Sequence, residues 1–344
     1  MCNIAGYVGT KQAAPIIIEM LRKQEPWDSG FYTGIATLHD GTYSLHKVVG
    51  CTKDLVEQTP AMDLPGTIGI IHGRSRGKQD ARWAHPFLGT DEKLIYCANG
   101  IGGAFSKLRT DSLGTRVAKY EALKKAGYWF QSDLEDGQGN MPDGANIHSS
   151  DHRCQCIVEY MNEGESVPEA MEHAFCDAPS EIVGLALDPK QPDRIFWARM
   201  NYPMFVGKAD HGMYMATTPE VFPEDARDVM VLAPLASGWV EADRYVEIPF
   251  TNPPGTVAQI TPRVVKEAYE LIIETLSEKE LNHDEIDRLI RPLFDEATCP
   301  PESVLNYMIT TELLRQGRLN LRVVWEDGAQ PGVMRPKYLA SIKK

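Results

Sequence analysis

Cys2, Arg74, Asn99, Gly100 and Asp151, in chain order, have the side chains and neighbours that amide cleavage requires. Cys2 follows the initiator methionine. Once Met1 is removed, this residue carries both a thiol and a free α-amine. An α-amine has a pKa of about 7.7–8.0, so near pH 7 a useful fraction is neutral and can take the proton of its own thiol, directly or through one water. N-terminal threonine nucleophiles are activated in the same way. The stretch IYCANGIGG sets Asn99 and Gly100 just past an apolar run. A side-chain amide and a neighbouring backbone N–H are donors suited to a developing oxyanion, and losing one such donor costs about 3–4 kcal/mol. Arg74 ends the apolar stretch GTIGIIHGR. A guanidinium there can clamp a carboxylate with two parallel hydrogen bonds. Asp151 opens the helical pattern HRCQCIVEYM, where it suits an N-cap and equally an ammonium ligand. Arginine for a carboxylate and aspartate for an ammonium together describe an α-amino acid.

These residues need elements to hold them. NIAGYVG reads as a short buried strand. KQAAPIIIEMLRKQE reads as a helix with Ile16, Ile17, Met20 and Leu21 on its apolar side, stopped near Pro26. TGIATL and YSLHKVV flank His39-Asp40-Gly41, a hairpin signal. GTIGIIHGRSR is a strand running into a polar loop, and KLIYCANGIGG is another ending in an Asn-Gly turn. RVAKYEALKKAGYWF is an amphipathic helix closed at Gly127. Residues 133–150 are rich in Gly, Asp and Asn and read as a long loop. DHRCQCIVEYMNEG and VPEAMEHAFC are helical, and 181–248 reads as short strands with turns. Strands on both sides of a helix-rich middle predict a layered α+β domain. The proline-rich EIPFTNPPG at 247–255 reads as a linker. Three helical patterns and a β-hairpin follow, a small winged-helix-like module. The expected domains are therefore 1–250 and 251–344.

Bulk composition narrows the function. At 344 residues the chain accommodates one large domain and a smaller one. Its formal net charge of -13, with no basic excess in the C-terminal module, disfavours nucleic-acid binding and leaves that module as a docking or homo-oligomer surface. No window approaches the ~18 apolar residues of a membrane span, and no secretory signal precedes the first strand. Seven scattered cysteines, an odd number, fit a reducing cytoplasm. His148, His152, Cys154 and Cys156 cluster in sequence, but their irregular spacing differs from the paired gaps of a zinc site. They are expected to pack a helix, and no metal is expected. His72 and His85 flank the Arg74 loop and read as structural. No P-loop or GxGxxG occurs, and no cofactor is expected.

The order Met-Cys start, GIIHGR, AHPF, CANGI, then Ser-Ser-Asp opening a helix, resembles the class II glutamine amidotransferase family of N-terminal-nucleophile hydrolases. The resemblance spans roughly 1–245. It implies an αββα four-layer sandwich that releases ammonia from glutamine through a glutamyl thioester. Carried over by position, Cys2 resembles the nucleophile and its amine the base. Arg74 matches the arginine on the glutamine α-carboxylate. Asn99 and Gly100 match the oxyanion pair, with the Gly100 carbonyl also touching the substrate amine. Asp151 matches the aspartate on the α-ammonium. The sequence departs from the family at Asn3, where the pattern has glycine, and at Ser75-Arg76-Gly77-Lys78-Gln79, where the family has Trp-Ala-Thr-His-Gly folding over glutamine. EPWDSGFY keeps Asp28 and Ser29 of a family stretch but not its arginine.

The expected activity is that of a cytoplasmic glutamine amidotransferase or glutaminase, with a separate ammonia-accepting synthase subunit as partner. Two alternatives stand beside it: an N-terminal-cysteine hydrolase of another γ-glutamyl amide, and a catalytically inactive sensing or assembly protein. A retained Met1 would acylate the Cys2 nitrogen and favour the last.

Overall fold

The computed structural model describes residues 2–77, 80–108, 112–134 and 139–343, with the side chains of 112–114 also outside the description. Met1, Lys78, Gln79 and part of the 133–150 loop thus lie outside the described residues. The elements run β1 (Asn3–Gly9), α1 (Ala13–Asp28), β2 (Tyr32–His39), β3 (Thr42–Val49), α2 (Thr52–Gln58), β4 (Ile68–Arg74), β5 (Phe87–Leu88) and β6 (Ile95–Ile101). Next come α3 (Ser112–Lys125), α4 (Ser149–Asn162), α5 (Val167–Asp177), β7 (Glu181–Leu187), β8 (Ile195–Arg199), β9 (Phe205–Ala209) and β10 (Gly212–Ala216). The chain continues through β11 (Arg227–Val231), β12 (Ala236–Val240), β13 (Tyr245–Pro249), α6 (Pro262–Glu278), α7 (His283–Ile290), α8 (Val304–Arg315), β14 (Leu319–Asp327) and β15 (Met334–Ile342).

Two antiparallel sheets are stacked, as the alternation of the strands requires. One has the order β11-β9-β10-β1-β4-β2-β3, the other β13-β12-β8-β7-β6-β5. Side chains alternate across a strand. On β1 and β4 the even-numbered Ile4, Val8, Ile68 and Ile70 fill the layer between the sheets, with Cys97, Val183, Leu185 and Trp197 from the facing sheet. The odd-numbered Ala5, Tyr7 and Ile71 face outward onto Ile17, Ile18 and Leu21 of α1. On the second sheet Tyr96, Ala98 and Phe196 pack outward onto Ile157, Val158 and Phe175 of α4 and α5. Helix, sheet, sheet, helix is the predicted four-layer α+β sandwich. The β2–β3 turn is a tight hairpin with Asp40 and Gly41 at φ 49° and 74°, the left-handed pair that matches strand twist.

Two local expectations are corrected. α1 does not stop near Pro26 but continues to Asp28, and Ser29 N–H closes the turn on Glu25 O at 2.9 Å. A proline this near the end forfeits a single helix bond. The last turn is held by buried Trp27, whose ring meets Tyr338 at 5.1 Å and His283 at 5.7 Å. Asp151 is not the N-cap of α4. That position is His148, whose Nδ1 accepts from Ser150 N–H at 3.0 Å.

The C-terminal elements are the expected three helices and hairpin. They share a core of Ala268, Ile272, Ile286, Leu305, Leu313 and Leu319. Val304 and Tyr307 of α8 belong instead to the cluster under α1.

Candidate active site

The pairing of β1 with β4 assembles the site. Asn3 stands opposite Gly73 and Ile4 opposite His72, so Cys2, His72 and Arg74 share the inter-sheet face at one end of the sandwich. Ser75 N–H points at Cys2 Sγ at 3.4 Å, with the Ser75 hydroxyl 3.6 Å from it. From the facing sheet β6 brings Asn99, whose Oδ1 accepts the Cys2 N–H at 3.2 Å. Asn99 Nδ2 is buried with no partner among the described residues. Gly100 follows at the exposed end of β6.

Burial works against a Cys2 thiolate. The His72 ring, the chain's amino terminus and the Ser75 N–H outweigh it and bring the thiol down to about 6. By contrast, burial pushes Cys51 and Cys156 up to about 12. Such a lowered pKa separates a reactive thiol from inert structural ones.

Arg74 is buried, its guanidinium 5.1 Å from the Tyr32 ring and 5.4 Å from the Trp83 ring. Nη1 has no partner among the described residues, and no carboxylate there pairs with the group. Burial lowers its pKa from the ordinary guanidinium value, while Cys2 and Tyr32 oppose the shift. Gly77 lies against the guanidinium, where a Cβ would meet Arg74 Nη1.

Asp151 lies in the first turn of α4. It is fully buried. One oxygen accepts from Ser132 N–H and Oγ at 2.7 and 2.8 Å, and the other from Gln155 Nε2 at 3.3 Å. Burial raises its pKa, against Ser132, Gln155 and the nearby charge of Lys47. Lys47 reaches in from β3 to Gln131 Oε1 at 2.8 Å and lies 4.6 Å over the Phe87 ring. Asp151 connects to Arg74 through Ser132, whose carbonyl accepts from Trp83 Nε1 at 2.8 Å. The structure thus brings Cys2, Arg74 and Asn99 together, with the buried Asp151 carboxylate held by Ser132 and Gln155.

His72 and His85, read from the sequence as structural, form a buried stack behind Cys2. His72 Nε2 donates to Ala98 O at 3.0 Å, and Ala98 N–H donates to His85 Nδ1 at 3.1 Å. The rings stack at 3.9 Å and 8°, and His148 meets His85 edge-on at 5.0 Å. Burial, then neighbouring charges, hold His85 and His148 well below the usual imidazole range. The signal was the alternation in IGIIHGR, which sets His72 and Arg74 on the same face. Among the described residues no group of three or more His, Cys, Asp or Glu is arranged to hold a metal. His152 and Cys156 do share a face of α4, with Nδ1 and Sγ 3.6 Å apart.

No family model matches the chain. Curated relatives do. The glutamine–fructose-6-phosphate aminotransferase (isomerizing) of Pyrococcus horikoshii is 27% identical over 71% of this chain, and that of Clostridium acetobutylicum 28% over 67%. The chain covers 37% and 33% of their lengths, about a third. Among solved structures, the glutamine phosphoribosylpyrophosphate amidotransferase of B. subtilis superposes with a TM-score of 0.59 over 98% of this chain and 69% of that one, at 12% identity. The chain is related to the class II glutamine amidotransferases and shares their fold. Cys2, Arg74 and Asn99 meet at the ends of β1, β4 and β6. No helix among the described residues is long and apolar enough to cross a membrane.

Proposed function

We propose that this site cleaves the side-chain amide of glutamine, with Cys2 as the nucleophile and ammonia released by way of a glutamyl thioester. One observation carries the reading: beside the Cys2 thiol stand two buried donors without partners among the described residues, Asn99 Nδ2 and Arg74 Nη1. Burying unsatisfied donors costs free energy unless a ligand completes them. One suits a developing oxyanion and the other a carboxylate. In this reading the α-amine freed by Met1 removal takes the thiol proton, and the thiolate attacks the amide carbon. Asn99 and the Gly100 N–H then receive the oxyanion. Arg74 holds the α-carboxylate, and Asp151 with the Gly100 carbonyl holds the α-ammonium. Residues 1–250 form the amidotransferase domain, and 251–344 a module for docking or self-association. A separate synthase subunit takes the ammonia. None of Cys2, Cys51, Cys97, Cys154, Cys156 and Cys299 is in a disulfide, which supports a reducing, cytoplasmic setting.

A second reading is favoured by one feature. The sequence Ser75-Arg76-Gly77-Lys78-Gln79 replaces the family's Trp-Ala-Thr-His-Gly after Arg74, which suits another γ-glutamyl amide, whose α-carboxylate and α-ammonium are the same as those of glutamine and keep the roles of Arg74 and Asp151. The test is intact mass before and after a glutamine-like diazoketone, followed by assays on glutamine and a panel of γ-glutamyl amides. Loss of methionine and one adduct, abolished by Cys2→Ala, are expected, with turnover of glutamine. Turnover of the panel alone selects the second reading. No adduct and no turnover leaves a scaffold.

A further inference from the structure

Among the helices outside the second sheet, α3, α4 and the end of α5 enclose a pocket of about 470 Å³. Ser149, His152, Arg153 and Cys156 line it from a single face of α4, at the spacing that stacks side chains along a helix. Arg116 and Lys119 line it from α3. Cys2, Arg74 and Asn99 do not reach it. Three cations therefore meet away from the candidate active site. Lys119 is answered: it pairs with Glu159 and donates to Tyr160 Oη at 3.2 Å. The two arginines are not. Arg116 Nη2 donates to Ile147 O at 3.0 Å, and Arg153 Nη2 donates to Ala178 O at 2.6 Å and Ser180 Oγ at 3.2 Å. All three partners are neutral, and Nε of each arginine is buried without a partner among the described residues. Arg153 is only 8% exposed, its guanidinium 5.2 Å from the Phe175 ring.

We propose that this pocket binds a phosphoryl group, free or as the monoester of a small metabolite, between the guanidinium groups of Arg116 and Arg153. Two like charges taken out of water without a counter-ion are costly, and an anion that pairs with both removes the cost. Burial lowers the Arg116 pKa and the charge of Arg153 lowers it further, so the two groups repel each other while the pocket is empty. Their combined charge matches a phosphate, which carries about −1.5 to −2 at pH 7, and the planar fork of each matches its oxygens. Asp177 is the carboxylate on the wall among the described residues, and the Tyr160 hydroxyl donates to it. His152 adds no charge: burial, then Arg116 and Arg153, push its pKa down to about 3. Ser149 is the first residue of α4, so the positive end of that helix adds to the attraction.

The test is calorimetric titration of the full chain with inorganic phosphate and with glycerol phosphate, at an ionic strength held constant with chloride. Saturable binding at one site per chain is expected for phosphate, and weaker binding for singly charged acetate. Arg116→Gln and Arg153→Gln should each weaken it about 10–10²-fold, the worth of one charge-assisted hydrogen bond. Arg74→Ala, which removes the other guanidinium without a carboxylate, should leave it unchanged. Tighter binding of the ester supports a phosphorylated metabolite as the occupant, and equal binding supports free phosphate. Absence of saturable binding, or full affinity in a folded Arg116→Gln protein, overturns the site. If the glutamine variants do not fold, Arg116→Lys keeps the charge without the fork, and an affinity equal to wild type overturns the site in the same way. Binding lost in Arg74→Ala places the phosphate beside Cys2 and overturns it too.

Discussion

Arg74 is a charge that the protein has taken out of water without giving it a carboxylate. Isolated buried charges are costly, and the flanking Tyr32 and Trp83 rings return only about 0.5–2 kcal/mol each as cation–π contacts. Such a group gains most from a bidentate anion. Arg74→Ala is therefore expected to lower kcat/KM for glutamine by about 10²–10³-fold, chiefly through KM, within the 2–5 kcal/mol typical of a truncated buried charge pair. Arg74→Lys should restore little, because an ammonium does not reproduce the planar fork. Asn99→Ala should instead reduce kcat by about 10²–10³-fold with KM nearly unchanged, since an oxyanion donor acts in the transition state. Steady-state kinetics on the two variants separates these outcomes, and equal effects on KM would remove the assigned division of labour. At this scale Cys2, Arg74 and Asn99 were readable as candidates from their order along the chain and its resemblance to the amidotransferase pattern, since each motif alone is weak. The place of His72 beside Cys2 was not: a histidine in an apolar run reads as structural, and the pairing of β1 with β4 alone sets it on that face. Asp151 was legible as a carboxylate at the start of α4, but not in its direction, which Ser132, nineteen residues away in sequence, decides.

Among the elements, α1 and α2 are joined by one buried carboxyl. Glu25 accepts from Thr52 N–H at 2.9 Å and Thr52 Oγ1 at 2.8 Å and is 3% exposed. Burial raises its pKa to about 7, against the two Thr52 bonds. The folded state thus holds one more proton than the unfolded chain between about pH 4.5 and 7, and stability must fall as pH rises through that window. The loss approaches about 3 kcal/mol above pH 7. Glu25→Gln keeps one acceptor and lets the Thr52 hydroxyl turn round. Its melting temperature should be flat across the window and exceed wild type at pH 8, measured by calorimetry at several pH values. A wild-type profile without that slope would show Glu25 ionised throughout. The helices and strands themselves were readable from periodicity. The run of α1 past Pro26 was not, because it depends on what Trp27 packs against, residues near 283, 307 and 338.

At the scale of the whole molecule, the sequence separated a C-terminal module but hid its position. The module packs against β1, which follows Cys2, and against α1. Asn3 Nδ2 reaches Tyr307 Oη at 3.5 Å, Asn201 Nδ2 donates to Pro300 O at 2.8 Å, and Arg335 Nη1 donates to Ser29 O at 2.9 Å. Arg291 is paired with Glu302 and lies 4.0 Å from Glu181 at the end of β7. The departure from the family pattern at position 3 thereby gains a physical reason: the residue after Cys2 is buried against α8, where a side chain with donors finds a hydroxyl that glycine could not use. Trp27 is the centre of this contact, with His283, Tyr307 and Tyr338 edge-on around it. Because Val304 and Tyr307 share a buried cluster with α1, the proposed domains should melt together, in one calorimetric transition. Trp27→Ala opens a cavity at the seam, which for a large aromatic costs about 3–5 kcal/mol. Two resolved transitions are then expected, the lower one belonging to the C-terminal helices, together with slower Cys2 alkylation as β1 loses its backing. A single transition merely shifted downward, with alkylation unchanged, would mean that the module only covers β1 and does not brace it.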